Sequence, residues 1–241
     1  MKSTYLLVYN VLSLIAWAIL LARAILFVTA SGIPISALVQ GKDTLRESLL
    51  PYVTVLQSLA GIEVLHAAAG IVRSSPATTA LQIGGRNLVI WTVARRFPEV
   101  VFGSGAGRWG FVGCVLAWAA SDVLRYAFFV VSLRLESSSA SKSGKGKGGL
   151  SAWALAWLKW LRYTAFIVLY PIGFLSEASL VYICLVQAQH ARFIYRTYLL
   201  FGLLAYIPAG YILFTYMFSQ RRRALSHPTE MSPMKGAKGG K

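Results

Sequence analysis

Six stretches of this chain, near residues 5–30, 50–72, 77–97, 109–133, 163–187 and 197–218, are apolar over lengths that suit a membrane crossing. The hydrocarbon core of a bilayer takes about 20 residues of α-helix to span. Within it every backbone N–H and C=O has to be bonded inside the segment, which favours helices. The expected fold is therefore all-α, a polytopic membrane bundle of about six transmembrane helices. With 56% hydrophobic and 13% charged residues and a mean hydropathy of +0.60, the chain is far more apolar than a soluble domain of its size. The first run exceeds the apolar part of a secretory signal. Ala22-Arg23-Ala24 has the form of a cleavage site, but the run is assigned as the first span. Arg73-Ser74-Ser75-Pro76 is a short connection, and proline there suits the start of the third span.

A net charge of +16 in a soluble protein points to nucleic acid. Here most of the excess lies in loops and at the C-terminus, where it attracts anionic headgroups, so membrane lipid and not nucleic acid is the expected partner. If the N-terminus is cytosolic, Lys2, Arg73, Arg134, Lys142, Lys145, Lys147 and Arg221–Arg223 fall on the cytosolic side. Lys42, Arg46, Arg95, Arg96, Arg108, Arg192 and Arg196 then fall on the other, a bias that favours both termini in the cytosol. Ser137–Gly149 is a flexible basic loop by composition. Trp153, Trp157 and Trp160 beside Lys159 mark a helix at the membrane interface. The chain thus divides into a six-helix membrane domain, 1–219, and a disordered basic cytosolic tail, 220–241. Cys114 and Cys184 show no metal-ligand spacing, and His66, His190 and His227 form no zinc motif, so no metal site is expected.

Ionisable groups are costly inside a bilayer, so those within the spans should face the bundle interior. Glu63, His66 and Gly70 share one face of the second span, and Thr79, Gln82 and Arg86 one face of the third. The fourth has Trp118, Asp122, Arg125, Tyr126 and Phe129; the fifth has Tyr163, Tyr170 and Glu177, seven residues apart. Four seams suggest one shared cavity. Arg73, Arg86, Arg125 and Arg162 fall towards the cytosolic half of their spans, and guanidinium groups are suited to a phosphorylated carrier. Tyr170 lies about 12 Å deeper, at 1.5 Å per residue. Each seam also has a structural interpretation: Asp122 and Arg125 can neutralise each other at i, i+3, and Glu63 and His66 can be a satisfied polar pair. Pro171 and Gly173 should break the helix and free backbone groups beside Tyr170.

The segment Leu161–Glu177, L-R-Y-T-A-F-I-V-L-Y-P-I-G-F-L-S-E, resembles the signature of the membrane very-long-chain 3-hydroxyacyl-CoA dehydratases, also called the protein tyrosine phosphatase-like family. Tyr5-Leu6 with Tyr9-Asn10, the block from Leu59 to Gln82, Trp118–Tyr126 and Tyr206-Ile207-Pro208 through Gln220-Arg221 resemble further family segments in order. The resemblance implies Tyr170 and Glu177 as catalytic residues. Arg86, Asp122, Arg125, Tyr126, Arg162, Tyr163 and Gly173 are then candidates for substrate-binding or supporting roles. Asp122 stands where the family usually has glutamate, and Gly85-Arg86 where it has Ser-Arg.

The implied reaction removes water from a 3-hydroxyacyl-CoA to give the trans-2-enoyl-CoA in very-long-chain fatty acid elongation. It needs a base for the C2 proton and an acid for the C3 hydroxyl, and it calls for no cofactor. Either assignment of Tyr170 and Glu177 to the two roles fits the residues. The resemblance also implies an endoplasmic reticulum membrane location and, as partners, the elongase condensing enzyme, 3-ketoacyl-CoA reductase and enoyl-CoA reductase. The alternative is a non-catalytic membrane scaffold for these or other proteins; a transporter using the polar seams is a further one. Tyrosine phosphatase chemistry needs Cys-x5-Arg, whereas Cys184 is followed at the arginine position by His190.

Overall fold

The computed structural model of the chain describes residues 2–30, 42–72, 74–140, 148–187 and 193–226. Arg73, Lys142, Lys145, Lys147, His190, Arg192 and His227 lie outside the described residues, as do 141–147 of the expected loop and 227–241 of the expected tail. The chain forms α1 (Lys2–Ala30), α2 (Lys42–Leu59), α3 (Ile62–Ala68), α4 (Pro76–Leu88, continued by a π-helical turn Val89–Ala94) and α5 (Pro98–Gly103). There follow α6 (Gly105–Ala140), α7 (Gly148–Arg162), α8 (Phe166–Gln187) and α9 (Phe193–Ser226). No strand occurs among the described residues.

Five segments are long and apolar enough to cross a membrane: Thr4–Thr29, Leu45–Ala68, Gly105–Leu135, Trp153–Gln187 and Phe193–Ser226. The protein is a multi-pass helical membrane protein. The expected third span is helical from Pro76 through Ala94, with proline at its first turn, but is not one of the five. Gln82, Gly84, Gly85, Arg86 and Asn87 fall within it and dilute its apolar character. Two boundaries differ from the composition-based ones. Helix α6 continues to Ala140 and α9 to Ser226, so Ser137–Ala140 and Gln220–Ser226 extend helices.

Helix α6 is the spine, with α1 along one side and α8 along another. Trp17, Leu20 and Ala24 of α1 join Phe111, Val115, Trp118 and Ala119 of α6 and Leu180, Val181 and Cys184 of α8 in one buried cluster. In lipid, where apolar surface gains little by leaving the solvent, such contacts rest on close van der Waals fit and on small residues that let backbones approach. Gly113 is the clearest case: a Cβ there would lie 2.3 Å from Ser176 Oγ. The α6–α8 approach allowed by Gly113 brings Trp118 within reach of Glu177 one to two turns further along. Helix α9 packs chiefly on α8 and leaves Phe193, Ile194, Ile207 and Tyr211 outward, as lipid contact requires.

Candidate active site

Side chains of α2, α4, α6, α8 and α9 line a cavity of about 480 Å3. Glu177 and Tyr170 both line it. Trp118 Nε1–H donates to Glu177 Oε1 at 2.7 Å, and the Tyr206 hydroxyl donates to Oε2 at 3.1 Å. Among the described residues no cationic group lies within ion-pair distance of this carboxylate. The Tyr170 ring stacks between Phe174 and Phe214, with centroid distances of 5.8 and 5.6 Å. Its hydroxyl donates to the Gly210 carbonyl at 3.4 Å, a long bond that leaves the group available to another partner.

Tyr206 and Gly210, the α9 partners of Glu177 and Tyr170, are four residues apart, about 6 Å along the helix. Phe174 packs edge-on against Tyr206 at 5.2 Å and stacks on Tyr170, fixing both phenols from the α8 side.

The Tyr163–Tyr170–Glu177 stripe is only partly realised. The helix breaks at Tyr163–Ala165, between α7 and α8, so Tyr163 leaves the helix that carries the other two, although it still lines the cavity. The expected break at Pro171–Gly173 does not occur: α8 runs unbroken through both, and no backbone N–H groups are released beside Tyr170. Gly173 instead permits close packing, since a Cβ there would lie 3.3 Å from Ala117 Cβ and 3.9 Å from Trp118.

A second polar cluster lies towards the Arg162 end of the cavity. Arg86 Nη1 pairs with Asp122 Oδ2 at 2.8 Å and Arg125 Nη2 with Asp122 Oδ1 at 2.8 Å. Arg86 also donates to Ser121 Oγ at 3.3 Å. Both Arg125 Nη groups bond the Glu63 carboxylate, which the Tyr126 hydroxyl also reaches. Asp122, despite its shorter side chain, therefore bridges two arginines. The mutual neutralisation of Asp122 and Arg125 holds. The pairing of Glu63 with His66 does not, because His66 Nε2 instead bonds the Tyr5 hydroxyl at 2.7 Å and its ring packs edge-on against Tyr9.

This arrangement also corrects the expectation that Arg86 and Arg125 stand ready for a phosphate, since both are taken up by carboxylates. Arg162 differs. Its guanidinium lies over Phe128, Phe129 and Tyr163 at 4.9, 4.5 and 5.5 Å, with no carboxylate within ion-pair distance among the described residues. A cation held on ring faces beside the cavity keeps its donors for an anion.

Tyr206 was not singled out from the sequence because its span carries no polar seam. Its only local signal was the Tyr206-Ile207-Pro208 match. Gln57 of α2 was also missed; it is 1% exposed, lines the cavity and has an unpartnered amide oxygen. Among the described residues no three His, Cys, Asp or Glu side chains come together in the way a metal ion would need. Cys184 is buried in the helix-packing core.

Fold and site thus define a helical membrane protein with a carboxylate and a phenol facing one cavity at bilayer depth. The protein tyrosine phosphatase-like family, PTPLA, matches residues 57–227, and the chain belongs to it. A relative from Schizosaccharomyces pombe, named probable very-long-chain (3R)-3-hydroxyacyl-CoA dehydratase, is 33% identical over 223 residues, 92% of this chain and 93% of that protein. Very-long-chain (3R)-3-hydroxyacyl-CoA dehydratase PASTICCINO 2 of Arabidopsis thaliana is 28% identical over 240 residues, covering 93% of this chain and 94% of its own. Very-long-chain (3R)-3-hydroxyacyl-CoA dehydratase 2 of Homo sapiens is 30% identical over 245 residues, covering 95% and 84%. No solved structure matches the chain at comparable strength.

Proposed function

We propose that this protein dehydrates long-chain 3-hydroxyacyl-CoA thioesters to trans-2-enoyl-CoA in fatty acid elongation, with Tyr170 and Glu177 as the acid–base pair. The names and near-full-length similarity of the relatives support the reaction. The observation that carries the site is that Glu177, held by two neutral donors and no cation, faces the same cavity as Tyr170. The Trp118 and Tyr206 hydrogen bonds orient its carboxylate without masking it behind a salt bridge.

In the proposed reaction Glu177 takes the proton from C2. The electron pair of that C–H bond forms the C2–C3 double bond, and the C3–O bond breaks as Tyr170 protonates the departing hydroxyl. Water leaves. Glu177 is then protonated and Tyr170 is a phenolate, and transfer of one proton between them through solvent restores the starting state. Proton transfers of this kind each contribute about 10²–10⁴-fold to rate. Arg162, near the broken end of α8, is the proposed contact for the phosphate of the carrier.

Residues 1–226, through the end of α9, form the proposed catalytic domain and 227–241 a cytosolic basic tail, with both termini in the cytosol and the protein in the endoplasmic reticulum membrane. The condensing enzyme and the two reductases of the cycle are the proposed partners. The test is mass-spectrometric analysis of purified protein incubated with a 3-hydroxyacyl-CoA, with Tyr170→Phe and Glu177→Gln alongside. Enoyl-CoA formed by the wild type and not by the variants is expected. A wild type that binds elongation enzymes but makes no product would instead be the scaffold.

A further inference from the structure

The cavity is longer than an acid–base pair needs. Its α9 wall runs along one helix face from Tyr198 to Gln220, about 33 Å at 1.5 Å per residue. Tyr206, bonded to Glu177, stands about 12 Å from the Tyr198 end. A hydrocarbon zigzag of 1.5 Å bonds advances about 1.3 Å per carbon, so this distal section holds about nine carbons. Beyond it the π-helical turn forms a floor: the Tyr195 hydroxyl donates to the Thr92 carbonyl, and Thr92 Oγ1 lies 3.5 Å from the Tyr198 hydroxyl. A longer acyl chain cannot end inside.

The wall is open on one side. Lining residues that are also exposed all belong to α4 and α9, among them Leu81 at 55%, Leu88 at 52% and Tyr198 at 40%, whereas those on α2, α6 and α8 are buried or half-buried. The cavity therefore opens sideways between α4 and α9, at bilayer depth. Gly202 lines this opening, and a Cβ built on it would meet nothing within 4 Å. Unlike Gly113, it is not needed for helix approach. Its missing side chain leaves free space.

We propose that the gap between α4 and α9 is a lateral portal for the acyl chain: the reacting carbons sit at Glu177, and chain more than about five carbons past them reaches Gly202, four residues or about 6 Å from Tyr206, and passes out there into the lipid. This rests on the dehydratase function proposed above and extends it to the handling of the acyl tail. Chain length past the portal is then met by lipid, so the enzyme accepts long chains without a long tunnel. An eight-carbon substrate fits within the distal section and has no use for the portal.

The test is turnover of an eight-carbon and a twenty-carbon 3-hydroxyacyl-CoA by the full-length protein in nanodiscs, comparing wild type with Gly202→Leu and, on the opposite wall, Leu88→Trp. Each variant should lower kcat/KM for the long substrate by about tenfold or more and leave the short one within about twofold. Equal losses on both substrates, or undiminished long-chain turnover in both variants, would overturn the portal. Leu88 is exposed, so its variant carries the comparison if Gly202→Leu fails to assemble. A wild type inactive on both substrates would sink the dehydratase function and the portal together, a pattern distinct from either of these outcomes.

Discussion

Glu63 and Asp122, towards the Arg162 end of the cavity, and Glu177, further along it, are carboxylates within membrane-length helices in very different surroundings. Glu63 and Asp122 are shared between Arg86 and Arg125, two negative charges against two positive, with Tyr126 and Ser121 supplying further donors. Glu177 has only an indole N–H and a phenol. A charge in hydrocarbon is tolerated when it is paired and bonded. The first cluster meets that condition within itself, tying α3, α4 and α6 together. The second leaves a carboxylate with no cation in ion-pair distance among the described residues and places it against open space. One arrangement holds helices in register, and the other suits the proton acceptor proposed for Glu177, so in the proposed reaction Asp122 and Arg125 belong to the framework and Glu177 to the chemistry.

The contrast can be broken most directly at Glu177. Glu177→Gln and Tyr170→Phe should each lower dehydratase turnover about a thousandfold, within the range for loss of a general acid or base, while the thermal unfolding midpoint in detergent stays close to that of the wild type. Near-normal turnover in either would remove that residue from the chemistry. Arg125→Met should do the reverse. It leaves Glu63 and Asp122 short of a partner and should cost about 3–5 kcal/mol of stability, read as a fall in the unfolding midpoint or loss of monodisperse protein on size exclusion. If Arg125→Met and Glu177→Gln shift the midpoint equally, the two clusters do not differ in the way described.

Smaller effects sharpen the same line. Tyr206→Phe deletes one of the two donors to Glu177 and should lower kcat about tenfold with KM little changed, the size expected for one hydrogen bond to a charged group. An unchanged kcat would mean that Trp118 alone orients the carboxylate. Tyr5→Phe removes the bond to His66 at the far edge of the framework and should cost about 1 kcal/mol or less, with turnover unaffected. A large loss of turnover there would show that the framework reaches the chemistry through α1.

Much of the helical architecture was legible along the chain, because length and apolar content are local properties and a bilayer imposes the same demand on each segment. The Asp122–Arg125 pair was legible for the same reason, since i, i+3 spacing on one helix sets the neighbours whatever else packs nearby. The fates of Glu63 and His66 were not. They are neighbours on α3, yet one bonds to α6 and the other to α1, and only the packing of those helices decides it. Tyr206 was hidden because a tyrosine in an apolar span reads equally well as a lipid-interface residue. Pro171 misled because the one N–H that proline lacks does not end the helix: the chain breaks about two turns earlier, at Tyr163–Ala165, and α8 continues through Pro171 around the glycine that α6 needs.

By itself the sequence determined that this protein is helical, that it lies in a membrane and that its buried carboxylates and arginines must turn inward, because hydrocarbon penalises unpaired charge wherever it occurs. Which carboxylates found arginines and which found only neutral donors was decided by tertiary structure. Pairing across helices depends on their register and separation, set by contacts such as Gly113 against Ser176 and Gly173 against Ala117. Those contacts bring Trp118 to Glu177 and leave open space beside it.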